Sequence, residues 1–377
     1  MGNCDSSTEN IRIKNNPKQE MKKNYGILPS YYSSSSLPNI TSSFFNQKDR
    51  PRHLKSNNST EVTNPLENKQ YIFSERIAKR EDINKKYRFS KKILGDGATS
   101  LVYLGENSSK EKYAIKQIPK VKMLYKQNLI IKEAEIGLKL NHKNIIKYYE
   151  IYEDINFIHI VTELGDTDLF ELIVNNPLGA LPEDIAIDFL IQIFEVIDYL
   201  HNVENIVHCD IKPENFVVKF DTKSNQPILK LIDFGNARKK PINKERLFNF
   251  CGTKEYMAPE TLENSGFNEK VDVWAAGVLM FNMLTGCDPF ISDNELDYRD
   301  NIKFKEVKFD LIKNESLREL NKKLLNRYIA KRITAKEALD EIKQIKNNYV
   351  YNNSIKSLKG NKNYINMLCK KLPLISI

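Results

Sequence analysis

Cysteine is scarce in this chain, and its placement excludes two classes of protein. The five cysteines, Cys4, Cys209, Cys251, Cys287 and Cys369, lie far apart and form no Cys-x-x-Cys pair. Neither a disulfide framework nor a zinc site on paired thiolates is encoded, and a reducing compartment follows. Long apolar runs are missing too. No stretch approaches the roughly 20 residues that cross a bilayer, and no apolar signal core follows Met1. No loop of the form D-x-[DN]-x-[DN]-G-x5-E occurs, so direct calcium control through an EF-hand is not expected. The net charge is +9, but the basic residues are dispersed without an interleaved aromatic stripe. Nucleic acid is therefore not an expected partner, whereas anionic phosphates and an acidic membrane surface are.

The 377 residues are 41% hydrophobic, enough for a sizeable core. Residues 1–80 stand apart: they are rich in Asn, Ser and Lys, and bury too little apolar surface to offset their ordering entropy. A disordered extension is expected there. Its start, Met1-Gly2-Asn3-Cys4-Asp5-Ser6, fits N-myristoylation on Gly2. One myristoyl chain anchors only marginally. Palmitoylation of Cys4, and nine Lys/Arg against four Asp/Glu in residues 1–60, supply the second signal. The expected location is the cytoplasmic face of a membrane, with a cytosolic pool.

Near Lys86-Tyr87-Arg88-Phe89 the pattern turns to alternation, predicting strands over 87–95, 100–106 and 112–118. A helix over 126–140 and strands over 146–152 and 157–163 follow. From Pro182 a long apolar helix runs to Asn202, and helical patterns return at 269–285 and 315–342. The expected fold class is α+β, with a small β-rich lobe and a larger helical one spanning 87–342. The tail, 343–377, contains the mixed apolar and basic run Tyr364–Leu372, which suits calmodulin or packing on its own domain.

Three short motifs carry the chemistry: His208-Cys209-Asp210-Ile211-Lys212-Pro213-Glu214-Asn215, then Asp233-Phe234-Gly235, then Ala258-Pro259-Glu260. Their order and spacing are those of magnesium-assisted phosphoryl transfer. Upstream, Gly95-Asp96-Gly97-Ala98-Thr99-Ser100 lies between two predicted strands, where Gly95 and Gly97 let a hairpin close over phosphates, and Ala114-Ile115-Lys116 lies on the third strand. Residues 87–342 thus resemble a eukaryotic Ser/Thr protein kinase domain, and within that superfamily the calcium- and calmodulin-dependent group, without EF-hands.

The resemblance implies a bilobal fold, ATP and Mg2+ as cofactors, and protein substrates. Asp210 would accept or orient the proton of the substrate hydroxyl, Lys212 would neutralise the γ-phosphoryl, and Asn215 and Asp233 would hold magnesium. Lys116 would hold the α- and β-phosphates, paired to a helix glutamate. Glu133 and Glu135 compete for that place; the Asn141-His142 turn favours Glu133, with Glu135 roughly 200° round the helix. Adenine would lie against Val102, Ala114 and Val217, with main-chain hydrogen bonds from the linker Thr162-Glu163-Leu164. Thr162, being small, predicts room for bulky inhibitors behind it. Asp168 would meet the ribose or a basic substrate residue, and Glu214 a substrate arginine, implying basic residues N-terminal to the target Ser/Thr. Thr253 would bond toward Asp210 and Lys212, Asp272 would hold the catalytic-loop backbone, and Glu260 would pair with Arg332.

Besides Ser100, which stands where the family pattern has the third glycine of the loop, the chain departs from that pattern in two places. Cys209 replaces the arginine that reads a phosphorylated activation loop, and Asn236 to Cys251 contains no Ser, Thr or Tyr, with Asn249 at the usual phosphothreonine position. The expectation is a catalytic loop that needs no such phosphate. Four residues beyond Glu133, where a bulky apolar side chain is usual, stands Gly137, and the ring of Tyr148 is expected to fill the vacated space. These two departures are the sole support for a rival reading, a nucleotide-binding scaffold without turnover.

Overall fold

The computed structural model describes residues 71–97, 100–123, 127–221, 226–240, 245–248, 252–290 and 295–354. Gly2 and Cys4, where lipidation is expected, the rest of residues 1–70, and the tail from 355 onward lie outside the described residues.

The first lobe is a five-stranded antiparallel sheet: β1 (Tyr87–Asp96), β2 (Leu101–Asn107), β3 (Lys112–Pro119), β4 (Tyr148–Glu153) and β5 (Phe157–Glu163), in the order β1-β2-β3-β5-β4. Helix α1 (Gln127–Lys139) crosses between β3 and β4. Alternation along β3 places fully buried Ile115 in a small cluster with Ile83, Tyr87, Tyr152 and Val161, while Ala114 and Lys116 are left for the opposite face. The strand expected from 146 begins at Tyr148, because Ile145 and Ile146 pair instead with Leu231 of the second lobe.

The second lobe contains β6 (Thr167–Asp168), α2 (Leu169–Val174), α3 (Glu183–Asn202), β7 (Ile206–Val207), β8 (Phe216–Asp221), β9 (Gln226–Leu231), β10 (Arg238–Lys239), α4 (Pro259–Leu262), α5 (Lys270–Thr285), α6 (Glu295–Phe304), α7 (Glu315–Leu324) and α8 (Ala335–Ser354). Pro182 precedes α3, and Glu183 and Asp184 in its first turn complement the helix dipole. Helix α5 is buried from Val271 to Met283 without a polar stripe, which makes it the central helix of the lobe. It stops at Gly286 (φ +71°), where a Cβ would meet the carbonyl oxygen of Gly179 at 2.3 Å.

Three further boundaries differ from the sequence reading. The helical pattern at 315–342 is two helices, α7 and α8, because buried Arg332 sits in the intervening loop with its Nε donating to the Asn326 carbonyl oxygen. A capping box marks the second start: Thr334 Oγ1 accepts from Glu337 N at 3.2 Å, and Glu337 accepts from Thr334 N at 2.7 Å. Helix α8 also continues past 342 to Ser354, with Ile345 buried and Lys346 paired to Asp188 of α3, so the domain boundary at 342 falls within a packed helix. Finally, the expectation of disorder through Arg80 fails for Tyr71–Arg80, where Phe73 and Ala78 are buried in the core.

At the edge of the first lobe, Glu150 accepts from Tyr87 Oη and Tyr152 Oη at 2.9 Å each and pairs with Lys79 and Lys86 at 2.7 Å. Burial acts to raise its carboxyl, but these four donors outweigh it and hold it down at about 2, against 4.5 ordinarily. A carboxylate with a depressed pKa stabilises the fold above its unfolded value and loses that contribution as pH falls toward the folded one. Urea titrations of wild type and Glu150→Gln should therefore show wild type losing its advantage between about pH 4.5 and about 2. Parallel pH profiles through that window would contradict this.

Candidate active site

The catalytic loop is held by one carboxylate. Asp272, in the first turn of α5, accepts the backbone N–H of His208 and of Cys209 at 2.8 Å each and the His201 ring at 2.8 Å. Asp272 is buried, so these bonds satisfy it away from water. They also fix Cys209 at φ +66°, a left-handed conformation that costs a non-glycine residue about 1–2 kcal/mol. Asp233 is left-handed too (φ +63°), with its Oδ1 accepting from Gly235 N at 3.1 Å. The two ends of the site are thus bound in strained backbone. They are linked by the edge-to-face rings of His208 and Phe234, 5.2 Å apart.

Around this frame the expected residues converge. Asp210 Oδ1 accepts from the backbone N–H (2.9 Å) and hydroxyl (2.8 Å) of Thr253, and Lys212 Nζ donates to Thr253 Oγ1 at 2.8 Å. Gly252 makes this possible: it lies at φ +89°, and a Cβ there would meet the Cys209 carbonyl oxygen at 2.2 Å. Asn215 donates its amide to the Asp210 carbonyl oxygen at 2.7 Å, leaving its side-chain oxygen to serve as a ligand. Sequence reasoning missed Asn236, whose amide approaches Asp210 Oδ2 at 3.4 Å; its place directly after the Asp-Phe-Gly motif was the available signal.

From the first lobe, Lys116 Nζ meets Glu133 Oε1 at 2.6 Å, settling the choice between the two glutamates, since Glu135 is exposed. Burial acts to lower the Lys116 amine, but the charges of Glu133 and Asp233 overcome it and raise it, so it stays an ammonium. Asp233 is also desolvated, yet Lys116 and the Gly235 N–H keep its carboxyl below the usual range. Gly235 lets the groups crowd: a Cβ would lie 3.2 Å from Asp233 Oδ1 and 3.8 Å from Glu133 Oε2. No group of three or more His, Cys, Asp or Glu among the described residues is placed to hold a metal alone. Two oxygen donors, Asp233 and Asn215, suit a magnesium ion that takes its other ligands from water and a nucleotide phosphate.

Val102 pairs with Lys116 and Ala114 with Thr162 on adjoining strands of the first lobe, while Val217 pairs with Asp168 in the separate β6–β8 ladder of the second. Gly97 and Ser100 close the β1–β2 hairpin by reciprocal main-chain bonds. Neither Gly95 nor Gly97 is left-handed, and a Cβ would meet nothing closer than 3.4 Å, so the turn itself does not require glycine there. In the linker, Glu163 is engaged on the side away from the base. Its N–H bonds the Lys147 carbonyl oxygen at 2.8 Å and its carboxylate pairs with Lys219 (2.6 Å) and Lys230 (3.2 Å), so neither serves the cleft; Leu164 is half-buried beside it. Asp168 caps α2 through Glu171 N at 2.7 Å, while Glu214 is exposed at the rim. Arg332 forks onto Glu260 at 2.6 and 3.0 Å, a buried pair that braces the lobe.

The substitution at Gly137 is compensated as expected. A Cβ on Gly137 would lie 2.5 Å from the Tyr148 ring, and Tyr148 is buried beside Glu133. Tyr148 also faces Thr162 across the β4–β5 ladder, so the room expected behind Thr162 is bordered by an aromatic ring. Burial and the two carboxylates push its hydroxyl well above its usual range, so it stays neutral. Gly137→Leu should destabilise the fold by about 1–3 kcal/mol through overpacking. Adding Tyr148→Leu should restore much of that, a coupling that denaturant melts of the four-member cycle will show; strictly additive losses would refute the swap.

The family described as protein kinase domain matches residues 88–342, well over half of the chain. Myosin light chain kinase A of Dictyostelium discoideum is 39% identical over 56% of this chain and 70% of its own length. Calcium-dependent protein kinase 4 of Plasmodium berghei is 32% identical over 78% of this chain, and Serine/threonine-protein kinase dkf-2 of Caenorhabditis briggsae 33% identical over 62%. The chain spans 59% of the former protein and 20% of the latter. With the geometry above, these similarities make this chain a member of the protein kinase family, among relatives that are serine/threonine kinases.

Proposed function

We propose that this chain is an active, ATP-dependent Ser/Thr protein kinase. The observation that carries the reading is the 2.6 Å Lys116–Glu133 ion pair facing Asp233, Asp210, Lys212 and Asn215 across one cleft. ATP complexed to magnesium supplies the transferable phosphoryl group. Asp210, oriented by Thr253, receives the proton of the attacking hydroxyl, and Lys212 offsets charge on the transferring group. Lys116 steadies the nucleotide phosphates, and Val102, Ala114 and Val217 enclose the base. The scaffold reading loses support, because Tyr148 fills the space at Gly137 and Asp272 holds the backbone of Cys209.

Four finer features belong to the same proposal. The substrate carries basic residues N-terminal to the target hydroxyl, read by exposed Glu214 and by Asp168. Activation-loop phosphorylation is dispensable, because Cys209 replaces the arginine reader and Asn236–Cys251 holds no Ser, Thr or Tyr. Acylation at Gly2 and Cys4 holds the enzyme at the cytoplasmic face of a membrane, and residues Tyr364–Leu372 offer a calmodulin segment.

Phosphate-free protein should transfer radiolabel from ATP to basic peptides in preference to acidic ones, and Asp210→Asn should lower turnover by at least about 100-fold. Inertness of the unphosphorylated enzyme on every peptide, with and without calcium-calmodulin, would defeat the reading. Separately, Gly2→Ala should move the protein from the membrane pellet to the soluble fraction of fractionated cells, and an unchanged distribution would remove the tether.

A further inference from the structure

Ten residues ahead of the catalytic domain fold onto its first lobe around a buried acid. The Glu153 side chain, at the end of β4, is fully buried and accepts the backbone N–H of Ile72 and of Phe73, the latter at 3.0 Å. It also pairs with Arg80 and, at 2.9 Å, with Lys120. Arg80 returns to donate to the Phe73 carbonyl oxygen, and the Tyr71 ring lies 3.9 Å from the Arg80 guanidinium and 5.1 Å from Lys120. Lys79 extends the sheet edge: its N–H bonds the Ile151 carbonyl oxygen at 2.8 Å and its carbonyl oxygen accepts from Glu153 N at 3.0 Å. A buried carboxylate is stable only when its acceptor sites are filled, and here three of its four partners come from residues 72–80.

The segment also contributes apolar residues to the core. Phe73 and Ala78 are buried, in an apolar core that runs through both lobes and takes in Ile118 and Ile151 of the sheet as well as Ile130 and Ala134 of α1. Lys120 starts the link from β3 into that helix. Latch and linker therefore meet at Lys120, where the chain leaves β3 for the helix that presents Glu133 to Lys116.

We propose that Tyr71–Arg80 is a strap, locked by Glu153, that sets the position of α1 and hence of the Glu133 carboxylate, making Phe73 and Glu153 positioning residues for phosphoryl transfer. The strap is the point at which residues 1–70 join the catalytic lobe, so a force or binding event on that extension is transmitted to the cleft. This rests on the kinase reading for its activity arm only.

The test uses the full chain and four variants: Phe73→Ala, Phe73→Leu, Glu153→Gln and, as a comparably buried control remote from the strap, Ile345→Ala. Turnover, KM for ATP, and amide exchange across residues 127–139 and 183–202 are measured. Phe73→Ala and Glu153→Gln should lower kcat about tenfold with KM nearly unchanged, and should speed exchange in 127–139 without affecting 183–202. Phe73→Leu should recover most of both effects, and Ile345→Ala should show neither. The strap is overturned if exchange in 127–139 stays at the wild-type rate, if it speeds up without loss of turnover, or if Ile345→Ala has the same effect. Should wild type prove inactive, the exchange arm still decides whether the strap orders the helix.

Discussion

An ammonium group deprived of most of its water and set between two carboxylates is the constraint around which this molecule is arranged. Lys116 draws Glu133 from a helix and faces Asp233 from the other lobe, and no part of that set is stable alone in a desolvated site. Each lobe therefore needs the other, or a charged ligand between them, to satisfy its half. The surrounding devices serve this need. Gly235 removes the side chain that would hold the carboxylates apart, Asp272 pins the loop carrying Asp210, and Arg332 with Glu260 braces the lobe beneath.

The strained residues Cys209 and Asp233 fit the same logic. Left-handed backbone at two non-glycine positions persists only where neighbouring bonds over-determine it, and here the bonds come from Asp272 and Gly235. The strain is thus held by the second lobe's own scaffold. That agrees with Cys209 standing in place of a phosphate-reading arginine and with the lack of Ser, Thr or Tyr in Asn236–Cys251, since the catalytic loop is fixed from behind.

Much of this was legible in the sequence, for identifiable reasons. Asp210, Lys212, Asn215 and Asp233 lie in short motifs whose spacing is set by the chain itself, and Glu133 followed from helical geometry. Gly137 and Tyr148 were legible as a pair, because a missing side chain and an oversized one stood on neighbouring elements. The strap was not: its partners Phe73 and Glu153 are 80 residues apart, and Asn- and Lys-rich flanks hide a buried aromatic. The engagement of Glu163 by Lys219 and Lys230 was hidden for the same reason, since long-range ion pairs leave no local pattern. The break between α7 and α8 was written in Thr334 and Glu337, but the surrounding helical periodicity concealed it.

The pairing of Tyr148 with Thr162 has a bearing on chemical selectivity. A small residue at the linker ordinarily signals depth to a designer of ATP-competitive compounds, yet here the wall beyond it is a neutral phenol packed on glycine. A flat, electron-poor ring system that slides edgewise along that phenol fits this contour better than a branched substituent reaching for open volume. Scaffolds optimised on kinases with leucine at this strand position will meet a different surface, and the difference is a handle for discriminating this protein from its relatives.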